Sequence, residues 1–156
     1  MLELSYCNRE IIPILKIYRH LYNYVSKLGL LDDLKSIARE LGERYPVKLI
    51  VLFGSQAEGR ATKLSDVDIA ILAEGDVEDI GDEIRRRLRR EVDIVDLRTA
   101  PIVLKYLIMR DGILLYGDRR DFHELRSLAI REYIDFKRIL KPHTERAMKY
   151  LGVTNG

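Results

Sequence analysis

The chain has 156 residues, 47% of them hydrophobic and 33% charged, with a net charge of +2. That length suits one compact domain that buries about 70% of its unfolded surface and needs no staples. The near-neutral charge excludes a global basic field for nucleic acid, and a lone cysteine, Cys7, excludes an internal disulfide or a cysteine-rich zinc site.

The start, MLELSYCNRE, lacks the basic-then-apolar pattern of a signal peptide. No apolar run approaches the ~20 residues of a membrane span. A soluble, cytoplasmic protein is expected. A first long helix is expected from Pro13 to a C-cap at Gly29, because proline is tolerated in a first turn and glycine ends helices. Its apolar residues form two seams, Ile11-Leu15-Tyr18-Tyr22-Val25 and Ile14-Ile17-Leu21-Tyr24-Leu28. A face that wide suits a helix wedged between core and neighbour; the sharper reading is a partner or homo-oligomer interface. A second helix follows, with Asp32 as candidate N-cap, Leu34, Ile37, Ala38 and Leu41 inward, and Gly42 weakening its end.

Val47–Phe53 reads as a first strand and Asp66–Ala73 as a second. Residues 76–90 form a helix with Val77, Ile80, Ile84 and Leu88 on one stripe. Its acids come early and its five arginines late, which complements the helix dipole. A solvated, dipole-matched face explains those arginines better than an RNA patch does. Val92–Leu97 is a third strand, Pro101–Met109 a helix and Gly112–Tyr116 a fourth strand. Asp118 begins a long helix with Phe122, Leu125, Ala129, Tyr133, Phe136 and Leu140 inward, which Pro142 should end or kink. Helices followed by alternating strands and helices imply an α/β or α+β sheet with helices on one face. The expected division is an N-terminal helical extension (1–44), a core (45–117) and a C-terminal helical segment (118–156), compact together.

The chemistry concentrates in residues 51–69, VLFGSQAEGRATKLSDVDI. Asp66 and Asp68 flank Val67 in a strand, so their carboxylates share one face. Two adjacent carboxylates repel unless a cation lies between them, and oxygen ligands of this kind suit Mg²⁺ with substrate phosphates. Gly54-Ser55 upstream offers a turn, backbone N–H groups and a hydroxyl for a polyphosphate. The plainer alternative is a solvent-facing strand edge, but aspartate is disfavoured in strands and two in one apolar strand weaken that reading. Two-metal transfer calls for a third carboxylate. Strand parity puts Asp96 on the face of Val92 and Ile94 and Asp93 on the other, which selects Asp93 unless a bulge intervenes. Gly54 and Gly59 have P-loop spacing, but Arg60 and Ala61 stand where that motif needs Lys and Ser/Thr. His20, His123 and His143 are scattered without metal-ligand spacing, and Ser55 has no nearby histidine to serve as base.

FGSQAEGRATKLSDVDIAIL resembles the G-S-x10-D-x-D signature of polymerase-β-like nucleotidyltransferases. More narrowly, the chain resembles the minimal nucleotidyltransferases (MNT) paired with HEPN-domain proteins. EVDIVDL resembles that group's third-carboxylate strand, and residues 131–151 resemble its C-terminal helix with a Tyr-x-Asp-Phe pattern. The resemblance covers about residues 45–151; Glu58 stands where an arginine is frequent, and Arg60 is the substitute. It implies the small mixed sheet of that superfamily, and that Gly54, Ser55 and Ser65 hold the triphosphate of ATP. It also implies that Asp66 and Asp68 bind Mg²⁺, two ions in all, and that Asp93 completes the site and activates the acceptor hydroxyl. The implied reaction moves AMP from ATP to a tyrosine of a HEPN toxin and silences it, which makes the chain the antitoxin. The alternatives are a toxin-binding module without catalysis, and the same chemistry on RNA or a small molecule.

Overall fold

The computed structural model describes residues 29–58 and 66–152. In chain order these form α1 (29–44), β1 (Val47–Phe53), α2 (Gly54–Glu58), β2 (Val67–Ala73) and α3 (Val77–Leu88). Then come β3 (Val92–Asp96), α4 (Ile102–Asp111), β4 (Ile113–Gly117) and α5 (Arg119–Tyr150). The strands form a four-stranded sheet in the order β3-β2-β1-β4. β1 runs antiparallel to β2 and β4, whereas β2 and β3 are parallel. A parallel pair needs a crossover, and α3 provides it. The small mixed sheet that the family resemblance implies is present, and no strand limit is shifted by more than one residue. No described helix is long and apolar enough to cross a membrane.

Helices cover both faces of the sheet rather than one. Ile50 and Leu52 of β1, with Val67, Ile69 and Ile71 of β2, pack against Leu34, Ala38 and Leu41 of α1 and Ile80 and Ile84 of α3. The opposite side chains, Leu49, Val51 and Ala70, pack against Ile108 and Met109 of α4 and Phe122 and Ala129 of α5. Two-sided burial is why β1 reads as an unbroken apolar run, LIVLF, instead of an alternating one. Only residues near the strand ends escape this double cover, and the aspartates of interest are among them.

Three helix-boundary expectations are corrected. Residues 29–44 are continuously helical, so Gly29 is not a C-cap and Asp32 is not an N-cap. Both are exposed and helical, and local stop and start signals are cheap to override once Leu34, Ala38 and Leu41 are buried. Gly42 does not weaken the end of α1 either. A Cβ there would stand 2.1 Å from the Tyr116 ring, so the glycine is what lets the ring close over the helix. Pro142 does not end α5, which continues to Tyr150. The proline frees one carbonyl, and in this fully exposed stretch water satisfies it. Asp76 and Asp118 cap α3 and α5 as accepting side chains, Asp118 taking the Arg120 N–H at 2.7 Å. The long helix expected from Pro13, with its two seams and Cys7 before it, lies outside the described residues, as do Gly59, Arg60 and Ser65.

Candidate active site

The site forms where β1 leaves the sheet and β2 enters it. Phe53, the last residue of β1, pairs with Asp68 on β2. Gly54 follows with a φ of +69°, a left-handed conformation that side chains rarely adopt. A Cβ on Gly54 would stand 2.2 Å from Asp68 Oδ2. The turn therefore presses its bare backbone against a carboxylate, and only glycine permits both the angle and the approach. Ser55 is half-buried in the short helix α2, which packs against β1, β2 and α4. Gln56 beside it is 5% exposed and has a polar partner. Sequence reading passed over Gln56, because its burial is set by tertiary packing that local spacing does not show.

Asp66 is exposed immediately before β2, Asp68 is half-buried within it, and Asp93 is exposed on β3. The parallel register sets Asp93 directly beside Asp68 and continues without a shift to Ile71 and Asp96. The parity that selects Asp93 is therefore undisturbed by a bulge. Neighbouring strands lie about 4.8 Å apart, and two carboxylates at such a spacing repel by roughly 1 kcal/mol in water and more in a drier setting. The consequence falls on Asp68. Burial pushes its carboxyl above the usual range, and the charges of Asp93 and Asp66 push it further.

Asp96 has a different fate. Arg98 donates to both of its carboxylate oxygens, at 2.7 Å from the Arg98 Nη2, and its backbone N–H adds a third bond at 2.8 Å. The Arg98 guanidinium holds the Asp96 carboxyl below its ordinary value and also donates to the Gly75 carbonyl at 2.7 Å. Asp96 thus closes a loop on the sheet. His123 and His143 are exposed on α5, and His123 lies edge-on to Phe122 at 5.7 Å; His20 is outside the described residues. The arginines of α3 are engaged in ion pairs: Arg85 with Asp82 at 2.8 Å, Arg86 with Glu83 at 2.7 Å, and Arg87 with Glu40 of α1 at 2.5 Å. That pairing suits a solvated structural face rather than an RNA patch.

Among the described residues, no three acidic, histidine or cysteine side chains stand close enough to enclose an ion by themselves. That fits a Mg²⁺ site of the kind completed by substrate, since Mg²⁺ takes one or two carboxylates and fills its shell with phosphate oxygens and water. The half-buried Asp68 and the exposed Asp66, which repel each other, are the donors such an ion would relieve.

Residues 35–121 match the family model described as Polymerase beta, Nucleotidyltransferase. The chain is 30% identical over 110 residues to Protein adenylyltransferase MntA of Shewanella oneidensis, covering 65% of this chain and 79% of that protein. It is 25% identical over 142 residues to Protein adenylyltransferase MntA of Aphanizomenon flos-aquae, covering 80% of this chain and 95% of that protein. Among solved structures it resembles a toxin–antitoxin with AMP-PNP, with a TM-score of 0.64 and 26% identity over 73% of this chain and 98% of that one. With its mixed sheet, its glycine turn and its paired strand aspartates, the chain belongs to the polymerase-β nucleotidyltransferase family and is a nucleotidyltransferase.

Proposed function

We propose that the chain transfers AMP from ATP to a hydroxyl of a partner protein, a tyrosine of a HEPN toxin, and so serves as the antitoxin. The observation that carries this reading is the glycine turn pressed on Asp68, with Asp66 before it and Asp93 beside it. The adenylyltransferase name of its relatives and the nucleotide-bearing toxin–antitoxin structure support it.

In this reading Gly54, Ser55 and Ser65 receive the triphosphate. Asp66 and Asp68 would hold Mg²⁺, and Asp93 would complete the pair of metal sites. Bound Mg²⁺ neutralises phosphate charge and lowers the barrier to attack at phosphorus. Asp93 is exposed and accepts the proton of the acceptor hydroxyl. The hydroxyl oxygen bonds to the α-phosphorus, the bond from that phosphorus to the β-bridging oxygen breaks, and pyrophosphate leaves. ATP as donor places the reaction in the cytoplasm.

The test is mass spectrometry of a HEPN partner incubated with the chain, ATP and Mg²⁺. One or more added AMP masses are expected, and the double variant Asp66→Asn/Asp68→Asn should transfer about 10³-fold more slowly. An unmodified, folded partner refutes the reading. Protection of cells by the double variant as good as by the wild type would make contact, not catalysis, the antitoxic act.

A further inference from the structure

A reaction on another protein's hydroxyl needs a surface that holds that protein, and α5 carries one. Its first half is anchored on the sheet through Phe122 and Ala129. From Lys137 to Tyr150 every residue is exposed. That outer half is not polar: Ile134, Ile139 and Leu140 are 49%, 69% and 40% exposed. Ile130, Ile134, Leu140 and Thr144 line one side of a groove of about 860 Å³, with Tyr106 of α4 and Tyr133 at its inner end. The two tyrosine rings stack at 3.9 Å and 6°, a stiff aromatic floor flanked by Arg110 and Lys137. Lys137, Arg138 and Lys141 line the same groove. Lys141 meets Glu145 at 3.9 Å and Arg138 meets Asp135 at 3.8 Å, long exposed pairs that a partner's carboxylates can displace.

Charge decides between the occupants. Residues 134–151 hold five basic and two acidic residues, a net +3. Residues 1–28 hold four basic and two acidic residues, a net +2, and a second copy of this face brings another +3. Both would meet the groove with like charge. The geometry points to an acidic amphipathic helix of the acceptor protein lying in the α4–α5 groove, apolar face on Tyr106, Tyr133, Ile134 and Leu140, carboxylates on Lys137 and Lys141. This deepens the transfer reading above and rests on it for the need of a partner. The lining residues Ile130 to Thr144 span about 20 Å along α5, a length matched by a helix of roughly 14 residues.

The test uses the full chain and two synthetic helical peptides of about 18 residues, both with leucines at three- and four-residue spacing. One carries glutamates on its polar face and the other lysines. Fluorescence anisotropy should show the acidic peptide binding at least about tenfold tighter, and Lys137→Glu/Lys141→Glu should reverse the preference. Leu140→Asp should weaken the acidic peptide by a similar factor, and all variants should bind Mg²⁺-ATP as the wild type does. Equal binding of the two peptides, or a preference untouched by the charge reversal, overturns the inference. So do cross-links from Lys137 or Lys141 to Lys16 or Lys27 of the same chain, or a dimer that Leu140→Asp dissolves. Loss of Mg²⁺-ATP binding by the wild type would strike the transfer reading and leave the peptide result standing.

Discussion

Two aspartates of β3, three residues apart, are treated in opposite ways. Asp96 is surrounded by Arg98, side chain and backbone together, and its charge is stabilised. Asp93 is set beside Asp68, and that pair with Asp66 makes each carboxylate's charge a burden to Asp68. A protein that pairs its charges along α3 and at Asp96 gathers three carboxylates at one sheet end, where the proposed Mg²⁺-ATP would relieve their repulsion. The difference separates aspartates that hold the fold from aspartates that await a ligand.

Replacing the two in turn gives the largest contrast. Asp93→Asn should lower transfer to the partner by about 10²–10³-fold with little change in melting temperature. Asp96→Asn should keep most of the transfer and melt earlier. The sign of its pH dependence follows from the lowered carboxyl: its stabilisation is present above the ordinary value of 3.8 and fades as pH falls through the folded value, so wild type and Asp96→Asn should converge in acid. Equal loss of transfer in both variants would erase the contrast.

Gly54→Ala tests the turn. The methyl would meet Asp68 Oδ2 and the left-handed φ would be strained, at a cost of about 1–3 kcal/mol read from denaturant midpoints. Transfer should fall further than stability does, because the methyl displaces the Asp68 carboxylate assigned to Mg²⁺.

The smallest effect is also the most diagnostic. Asp68 has a raised carboxyl, so its charge costs stability once pH rises from 3.8 through the folded value, and below 3.8 it costs nothing. Asp68→Asn should therefore melt slightly later than wild type near pH 7, with the gain vanishing in acid. Adding Mg²⁺-ATP should reverse the order, stabilising the wild type by mass action and the variant little. A variant that melts earlier at pH 7 would show that Asp68 supports the fold instead.

Much of this was legible in the chain. The apolar runs of the first two strands, expected at Val47–Phe53 and Asp66–Ala73, the start of the long helix at Asp118, and the face of Asp93 all follow from local spacing. What was not legible depends on contacts between distant residues. Helices on both faces require knowing that α4 and α5 return to the side opposite α1. Gly42 reads as a helix stop until Tyr116, more than seventy residues away, is seen to lie over it. The pairing of Asp93 with Asp68 needs the parallel register, which strand parity cannot supply. Pro142 reads as a breaker because local rules do not know that its stretch is wet.

The length of α5 has one more consequence. Its 32 residues extend about 48 Å, and only the first half is tied to the sheet. A helical stretch as short as the remainder is marginal alone in water. Residues beyond Phe136 therefore belong to a separate cooperative unit, opening and closing while the sheet stays folded. Amide exchange in that unit would be rapid in the isolated chain and slow once a partner is seated, so protection there is a clock for assembly that runs independently of the chemistry at Asp68.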